Sequence, residues 1–190
     1  TARHSLLYDM GPATIDGFDA GARAVVPALH GLGVQRLDAA MISHGDNDHA
    51  GGWGTVSRAF PVASLLAPEG SPVPGIVPCR AGQSWQWDGV RIRVLHPGDG
   101  FPYLGNEASC VLRVETAHGN ALLTGDIGHF VEAKLLRDDP ESVRSDVVLV
   151  PHHGSAGSSG ESLVAATGAR LAVVSSGAGN RFGHPRADVV

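Results

Sequence analysis

The stretch Ser43-His44-Gly45-Asp46-Asn47-Asp48-His49-Ala50-Gly51-Gly52 sets two imidazoles and two carboxylates within six residues and follows them with a glycine pair. Imidazole nitrogens and carboxylate oxygens at this density suit divalent cations. The glycines would let the backbone pass close to such ions. Immediately ahead, Leu37-Asp38-Ala39-Ala40-Met41-Ile42 reads as a short buried strand. The cluster is therefore expected on the loop leaving a strand's carboxyl end, where α/β proteins place chemistry.

Working outward, apolar runs of strand length recur at Ser5–Tyr8, Leu37–Ile42, Val62–Ala67, Val90–Leu95, Cys110–Glu115, Ala121–Thr124, Val147–Val150 and Leu171–Ser175. Val90, Ile92 and Val94 alternate with Arg91 and Arg93, and Val111 and Val114 flank Arg113, which suits half-buried antiparallel strands. Ala117-His118-Gly119-Asn120 reads as a hairpin connection. Helical patterns fit Ala20–Leu32, His129–Arg137 and Glu161–Thr167, the first and last closed by Gly33 and Gly168. Strands and helices alternating in blocks imply a layered α/β architecture with sheets inside and helices outside. The loops Pro68–Pro78 and Ser155–Gly160 read first as turns, since glycine and proline punctuate any α/β fold.

At 190 residues the chain has a one-domain length, and residues 1–190 are read as a single domain. No apolar run approaches the roughly 20 residues of a membrane span. The net charge of -5 argues against a surface that clings to nucleic acid throughout. It leaves a nuclease open, because bound cations bring their own positive charge. The basic residues are nearly all arginine, Lys134 being the lysine, and read as scattered and solvated. Cys79 and Cys110, without Cys-x-x-Cys spacing, support neither a disulfide framework nor a zinc knuckle.

Downstream, three more strands deliver ligand-type residues at or beyond their carboxyl ends. Ala121-Leu122-Leu123 leads into Thr124-Gly125-Asp126, Val147–Val150 into Pro151-His152-His153-Gly154-Ser155, and Leu171–Ser175 is followed by Gly183-His184-Pro185. If these strands lie beside the first, Asp126 and the later histidines meet the opening cluster at one edge. A carboxylate such as Asp126 can bridge two cations about 3.5–4 Å apart.

These motifs, in this order, resemble the metallo-β-lactamase fold hydrolases, and more closely the carboxyl-terminal hydrolase domain of the ComEC family of bacterial DNA-uptake channel proteins. The resemblance implies an αββα sandwich, two mixed β-sheets flanked by helices, here truncated at both ends: a strand missing before Leu6–Pro12 and a helix opening at Ala187-Asp188-Val189-Val190. It implies that His44 and Asp46 bind one metal ion, Asp48 and His49 a second, and that Asp126 bridges them. His152, His153 and His184 share the remaining roles, completing the second metal's shell and contacting the phosphate or leaving group. The implied metal set is then His44, Asp46, Asp48, His49, Asp126, His152 and His184, with Asp48, His152, His153 and His184 as catalytic candidates.

Two departures from the broad family pattern matter. Asp46 stands where most members carry histidine, which adds a hard oxygen and favours manganese over zinc. No histidine clearly fills the family's position between the opening cluster and Gly125-Asp126, so Asn106 and Ser109 become site candidates. His96 and His118 read as ordinary loop residues, and His4, His30 and His129 as surface ones. By resemblance the activity is a two-metal phosphodiesterase that degrades the DNA strand that is not transported. DNA, the transmembrane channel part of the same polypeptide and other DNA-uptake proteins are the implied partners, and an integral inner (cytoplasmic) membrane protein the implied setting, with the side of the membrane left open. Hydrolysis of a small lactone or thioester, and a non-catalytic DNA-guiding module, are the competing readings.

Overall fold

The computed structural model describes residues 1–177 and 179–189. Strands β1 (Leu6–Tyr8), β2 (Ala39–Met41), β3 (Leu65–Ala67) and β4 (Val77–Pro78) pair in that order into one sheet. A second sheet has the order β10-β9-β8-β7-β6-β5, from β5 (Ser84–Trp87), β6 (Val90–His96), β7 (Val111–Thr116), β8 (Gly119–Leu123), β9 (Val147–Leu149) and β10 (Leu171–Val173). The six-stranded sheet is mixed, as expected. The four-stranded sheet instead pairs in parallel at each of its contacts, because every link between its first three strands is a crossover rather than a hairpin.

Helices cover the outer faces. A π-helical turn, Gly21–Val25, runs into α1 (Val26–Gly31), and α2 (Asn47–Ala50) is followed by α3 (Trp53–Ala59). Leu29 of α1 and Val56 of α3, with Phe60, pack on the outward side chains Leu37, Ala40, Ile42 and Leu65. The facing surfaces of the two sheets bury Ala39, Met41 and Leu66 against Ile92, Val94 and Leu112. On the far side, α4 (His129–Asp138) and α5 (Glu161–Thr167) cover Val111 and Leu122 through Val131, Leu135 and Leu163. Each such fully buried aliphatic side chain contributes roughly 1.5–3 kcal/mol. With helices on one side and a sheet on the other, β2 and β3 are buried on both faces, which explains their unbroken apolar reading.

Each of the eight apolar runs overlaps a strand, and the hairpin forms with Thr116 paired to Gly119 around Ala117-His118. The short strands β4 and β5 and helices α2 and α3 lie in segments whose sequence carries a weak period or a ligand motif. Arg113 is not solvated. It is buried on the helix-covered face of β7, where its guanidinium donates to the carbonyls of Glu141, Ser142 and Arg144 at 2.6–3.0 Å and pairs with Glu115 at 2.8 Å. His96 is likewise no loop residue: it ends β6 fully buried and donates Nε2–H to the Glu107 carbonyl at 2.8 Å. Burial pushes its imidazole down to about 4. Of the expected terminal helix turn, Ala187 to Val189 form a turn and Val190 lies outside the described residues.

The cysteines correct the sequence reading outright. Cys79, just past β4, and Cys110, just before β7, form a disulfide that joins the two sheets across their shared core. Sequence spacing gave no sign of it, because the 31-residue separation reflects tertiary rather than local proximity. Closing a loop of that length restricts the unfolded chain by about 3–4 kcal/mol. Reduction of the disulfide, or Cys79→Ala with Cys110→Ala, should lower the unfolding free energy in urea by that amount, and unchanged midpoints and slopes would show the link to be energetically neutral.

Candidate metal centre

Five strands that point toward one edge of the sandwich are followed by polar residues there. Asp9 follows β1, Ser43 and His44 follow β2, Asp126 follows β8, His152 and His153 follow β9, and Ser175 follows β10. β7 runs the opposite way, so its entry segment, the 3-10 turn Gly105–Ala108 and Ser109, reaches the same edge. Parallel pairing of β1 with β2 and of β8 with β9 and β10 is what delivers these carboxyl ends together.

Asp48, His49, Asp126 and His153 converge so closely that one ligand atom from each lies within 4.8 Å of the others. His49 Nε2 is 3.2 Å from Asp126 Oδ1, and His153 Nε2 is 3.3 Å from Asp48 Oδ2 and 3.4 Å from Asp126 Oδ2. Beside them, the His44 and His49 rings are 4.2 Å apart and His44 Nε2 is 3.6 Å from Asp46 Oδ2. His152 Nε2 stands 3.8 Å from Asp126 Oδ2. Asp126 thus faces both the His49 and His153 side and the His152 side. Asp48 and His49 sit on the helical turn α2 rather than on an open loop, and that turn sets them side by side.

The outward nitrogens of these rings are all engaged. His44 Nδ1 lies 3.1 Å from Ser43 Oγ and 3.5 Å from Ser109 Oγ, while His49 Nδ1 meets Asp9 Oδ2 at 2.8 Å. His153 donates Nδ1–H to the Ser175 carbonyl at 2.6 Å. The Nε2 atoms of all three are buried without a hydrogen-bond partner, and all three belong to rings packed together. Three inward, unsatisfied imidazole nitrogens beside carboxylates are a donor set that fits divalent cations. The electrostatics agree. Burial opposes protonation of His49, yet contact with Asp126 and Asp9 carries it up to about 10. Contact with Asp126 and Asp48 raises His153 to about 10 despite burial. Burial works against the charge of Asp126, but His153 and His49 hold its carboxyl far below the usual range. His44 moves the other way, lowered by burial and by the neighbouring His49. So dense a set of carboxylates calls for positive charge, which protonated imidazoles or bound cations can supply.

Asp9 was not singled out by its sequence, which offers only an acidic residue after a short strand. It has φ +58°, accepts the Ser43 N–H at 2.7 Å and holds His49. Asn106 lies at the site, its Nδ2 donating to His152 Nε2 at 3.2 Å. Ser109 is buried beneath the cluster, accepting the Asp126 N–H at 3.0 Å and donating to the Asn106 carbonyl at 2.7 Å. His184 lies further out, its ring 6.1 Å from that of His152 and its Nδ1 buried without a partner. Of the three later histidines, among which the resemblance left the remaining roles undivided, His153 lies inside the four-residue group, whereas His152 and His184 flank it. The glycine pair also serves another purpose. A Cβ on Gly52 would fall 2.3 Å from the Met10 carbonyl and one on Gly51 2.4 Å from Ala13 N, so these residues bring α2 against the loop after β1, not against the cluster.

The sequence profile of the metallo-beta-lactamase superfamily matches residues 1–177. The chain belongs to that superfamily. It is 36% identical over 185 residues to competence protein ComA of Neisseria gonorrhoeae, covering 97% of this chain and 26% of that protein. It is 33% identical over 190 residues to recombination protein 2 of Haemophilus influenzae, covering 97% of this chain and 23% of that one. The chain therefore spans about a quarter of the length of these relatives. Among solved structures, a metallo-β-lactamase of Cronobacter sakazakii with an HARLDQ motif aligns with a TM-score of 0.56 at 17% identity, over 78% of this chain and 64% of that one, which establishes the fold. As a superfamily member, the chain has its candidate centre at the sheet edge described above.

The role of Asp9 is open to direct test. Supporting partners of ligating histidines typically contribute 10–100-fold in metal affinity. Asp9→Asn, which keeps the hydrogen-bonding shape and removes the charge, should weaken Mn²⁺ or Zn²⁺ binding by about that factor in a competition titration with a chelating dye. Equal affinities would remove Asp9 from the support of His49.

Proposed function

We propose that this chain is a metal-dependent phosphodiesterase acting on DNA, within a membrane protein of DNA uptake, and that it degrades the strand that is not transported. The observation that carries this reading is the cluster of inward Nε2 atoms and carboxylates around Asp126, in a chain so similar to competence protein ComA. His44 and Asp46 would hold one ion, Asp48, His49 and His153 a second, with Asp126 shared. Divalent cations at these residues supply Lewis acidity, which makes water nucleophilic near neutral pH and offsets charge on a phosphoryl oxygen.

The chain's own residues do the rest. Asp48 is half exposed while Asp126 is buried behind it, so substrate would approach past the former with its reacting phosphate toward the latter. His152, oriented by Asn106, is set to contact a phosphate oxygen. His184 lines the same cavity as Asp48 and His153, and its proton affinity is lowered by burial and by His152 and His153. It is the group we assign to protonate the departing sugar oxygen.

Asp46, a carboxylate at the position where the resemblance leads one to expect histidine, favours manganese. Metal-free protein reloaded with Mn²⁺ should cleave labelled DNA faster than protein loaded with Zn²⁺ at matched occupancy. Asp126→Ala should lose more than the roughly 10–100-fold expected for a supporting residue. Hydrolysis of a lactone or thioester panel without DNA cleavage would replace the phosphodiesterase reading, and a chain that takes up no metal would favour a DNA-guiding module.

No described helix is long and apolar enough to cross a membrane. The disulfide supports a position on the non-cytosolic side, since cytosolic reductants keep such pairs open. Protein taken from native membranes and alkylated without reduction should carry no label on Cys79 or Cys110. Full labelling of both would put the domain on the cytosolic side.

A further inference from the structure

The segment from Asn180 to His184 crosses the rim of a cavity of about 460 Å³ that it shares with Asp48 and His153. The segment is a built turn. Asn180 Oδ1 accepts the N–H groups of Phe182 and His184, each at 3.1 Å, and its Nδ2 donates to the carbonyls of Gly177 and His184. With its side chain fully used, Asn180 holds the backbone of the turn that carries Phe182. Phe182 lines the cavity and remains 60% exposed. Isolated exposed apolar side chains are ordinary on protein surfaces. This one differs in its company. Its ring lies nearly parallel to that of His184, at 14° and 5.8 Å between centroids, and the Arg181 guanidinium rests 4.7 Å from its centroid.

We propose that Phe182 and Arg181 form a stacking platform for an unpaired nucleobase, so that the strand led to the cluster is single-stranded nucleic acid. The proposal rests on the phosphodiesterase reading and adds the form of its substrate. A flat cation lying over the ring marks a face that a flat base can take. A base stacking there displaces the guanidinium, which turns to the flanking phosphate and pairs with it. Such stacking tolerates any sequence, since every base presents a π-face. A base within a duplex is already stacked and reaches this ring only by being pulled out. The cavity falls in the size range of ordinary ligand sites, enough for one nucleotide at the rim while its phosphate approaches Asp48 and His153. Phe182 then positions the strand and Arg181 supplies charge where the acidic cluster would otherwise repel it.

The test is equilibrium binding of fluorescein-labelled hexathymidylate to the whole chain, read by anisotropy in EDTA so that nothing is cut. A matched oligomer lacking its two central bases is titrated alongside. Wild type should prefer the intact strand by about 5- to 150-fold, the range for one stacked base. Phe182→Ala should bind the intact strand more weakly by a similar factor and show no preference between the two oligomers. Phe182→Trp should restore the preference, which a merely structural role would not do. Arg181→Gln should weaken both oligomers alike and flatten the salt dependence by about 0.7 in log–log slope. Absence of binding, equal binding of both oligomers by wild type, or a preference that survives Phe182→Ala would overturn the platform. Base-dependent binding with no cleavage under any metal would leave the platform standing and sink the phosphodiesterase reading, while cleavage without base dependence would do the reverse.

Discussion

The site depends on how the two sheets are tied at one edge. Cys110 donates its N–H to the Ser43 carbonyl at 2.9 Å, its own carbonyl accepts the Tyr8 hydroxyl at 2.7 Å, and its sulfur is bonded to Cys79. One residue thus joins the ends of β1 and β2 to the start of β7 and to the far side of the first sheet. Directly beside it, Gly125 lets Asp126 approach: a Cβ there would meet the Cβ atoms of both Ser109 and Ser43 at 2.8 Å. Were this junction looser, Asp126 of the second sheet and His49 of the first would not share a cluster.

Around that junction the polar groups are arranged in two tiers. Ser43, Ser109, Asp9 and the Ser175 carbonyl take the outward nitrogens of the imidazoles, and what remains faces inward. The buried carboxylate of Glu132 extends the same logic to the later loop, accepting the N–H groups of Ser159 and Gly160. That contact ties Ser155–Gly160 to α4, so a stretch whose composition suggests a pliant turn is anchored close behind His152 and His153.

Much of this was legible from residue order alone. The runs before His44, Asp126 and His152 are apolar and short, and each motif follows its strand closely. What stayed hidden depends on distant partners. Asp9 becomes a supporting residue only because β1 lies beside β2. Arg113 looks solvated in an alternating strand until three carbonyls from Glu141 to Arg144 surround it. The disulfide pairs residues whose separation carries no message. Strand β5, with Trp85 and Trp87 interrupted by Gln86, is too short to stand out, and the helical period of α2 is overwritten by its ligands. Asp46 and Asn106 gain their places only by folding, which sets the one beside His44 and the other against His152.

His152 and His153 both adopt left-handed backbone, with φ of 49° and 56°. For residues with a Cβ this conformation costs roughly 1–2 kcal/mol each, and two in succession reverse the chain within a single turn. The reversal lets neighbouring side chains both reach Asp126 Oδ2 while meeting different second partners, Asp48 for His153 and Asn106 for His152. An extended pair would also alternate, but would carry the chain onward past the edge. Glycine would relieve the strain at either position and remove an imidazole in doing so. The fold therefore forgoes stability at the very bend where it gains reach, and any drift toward a more robust sequence would erode this corner first.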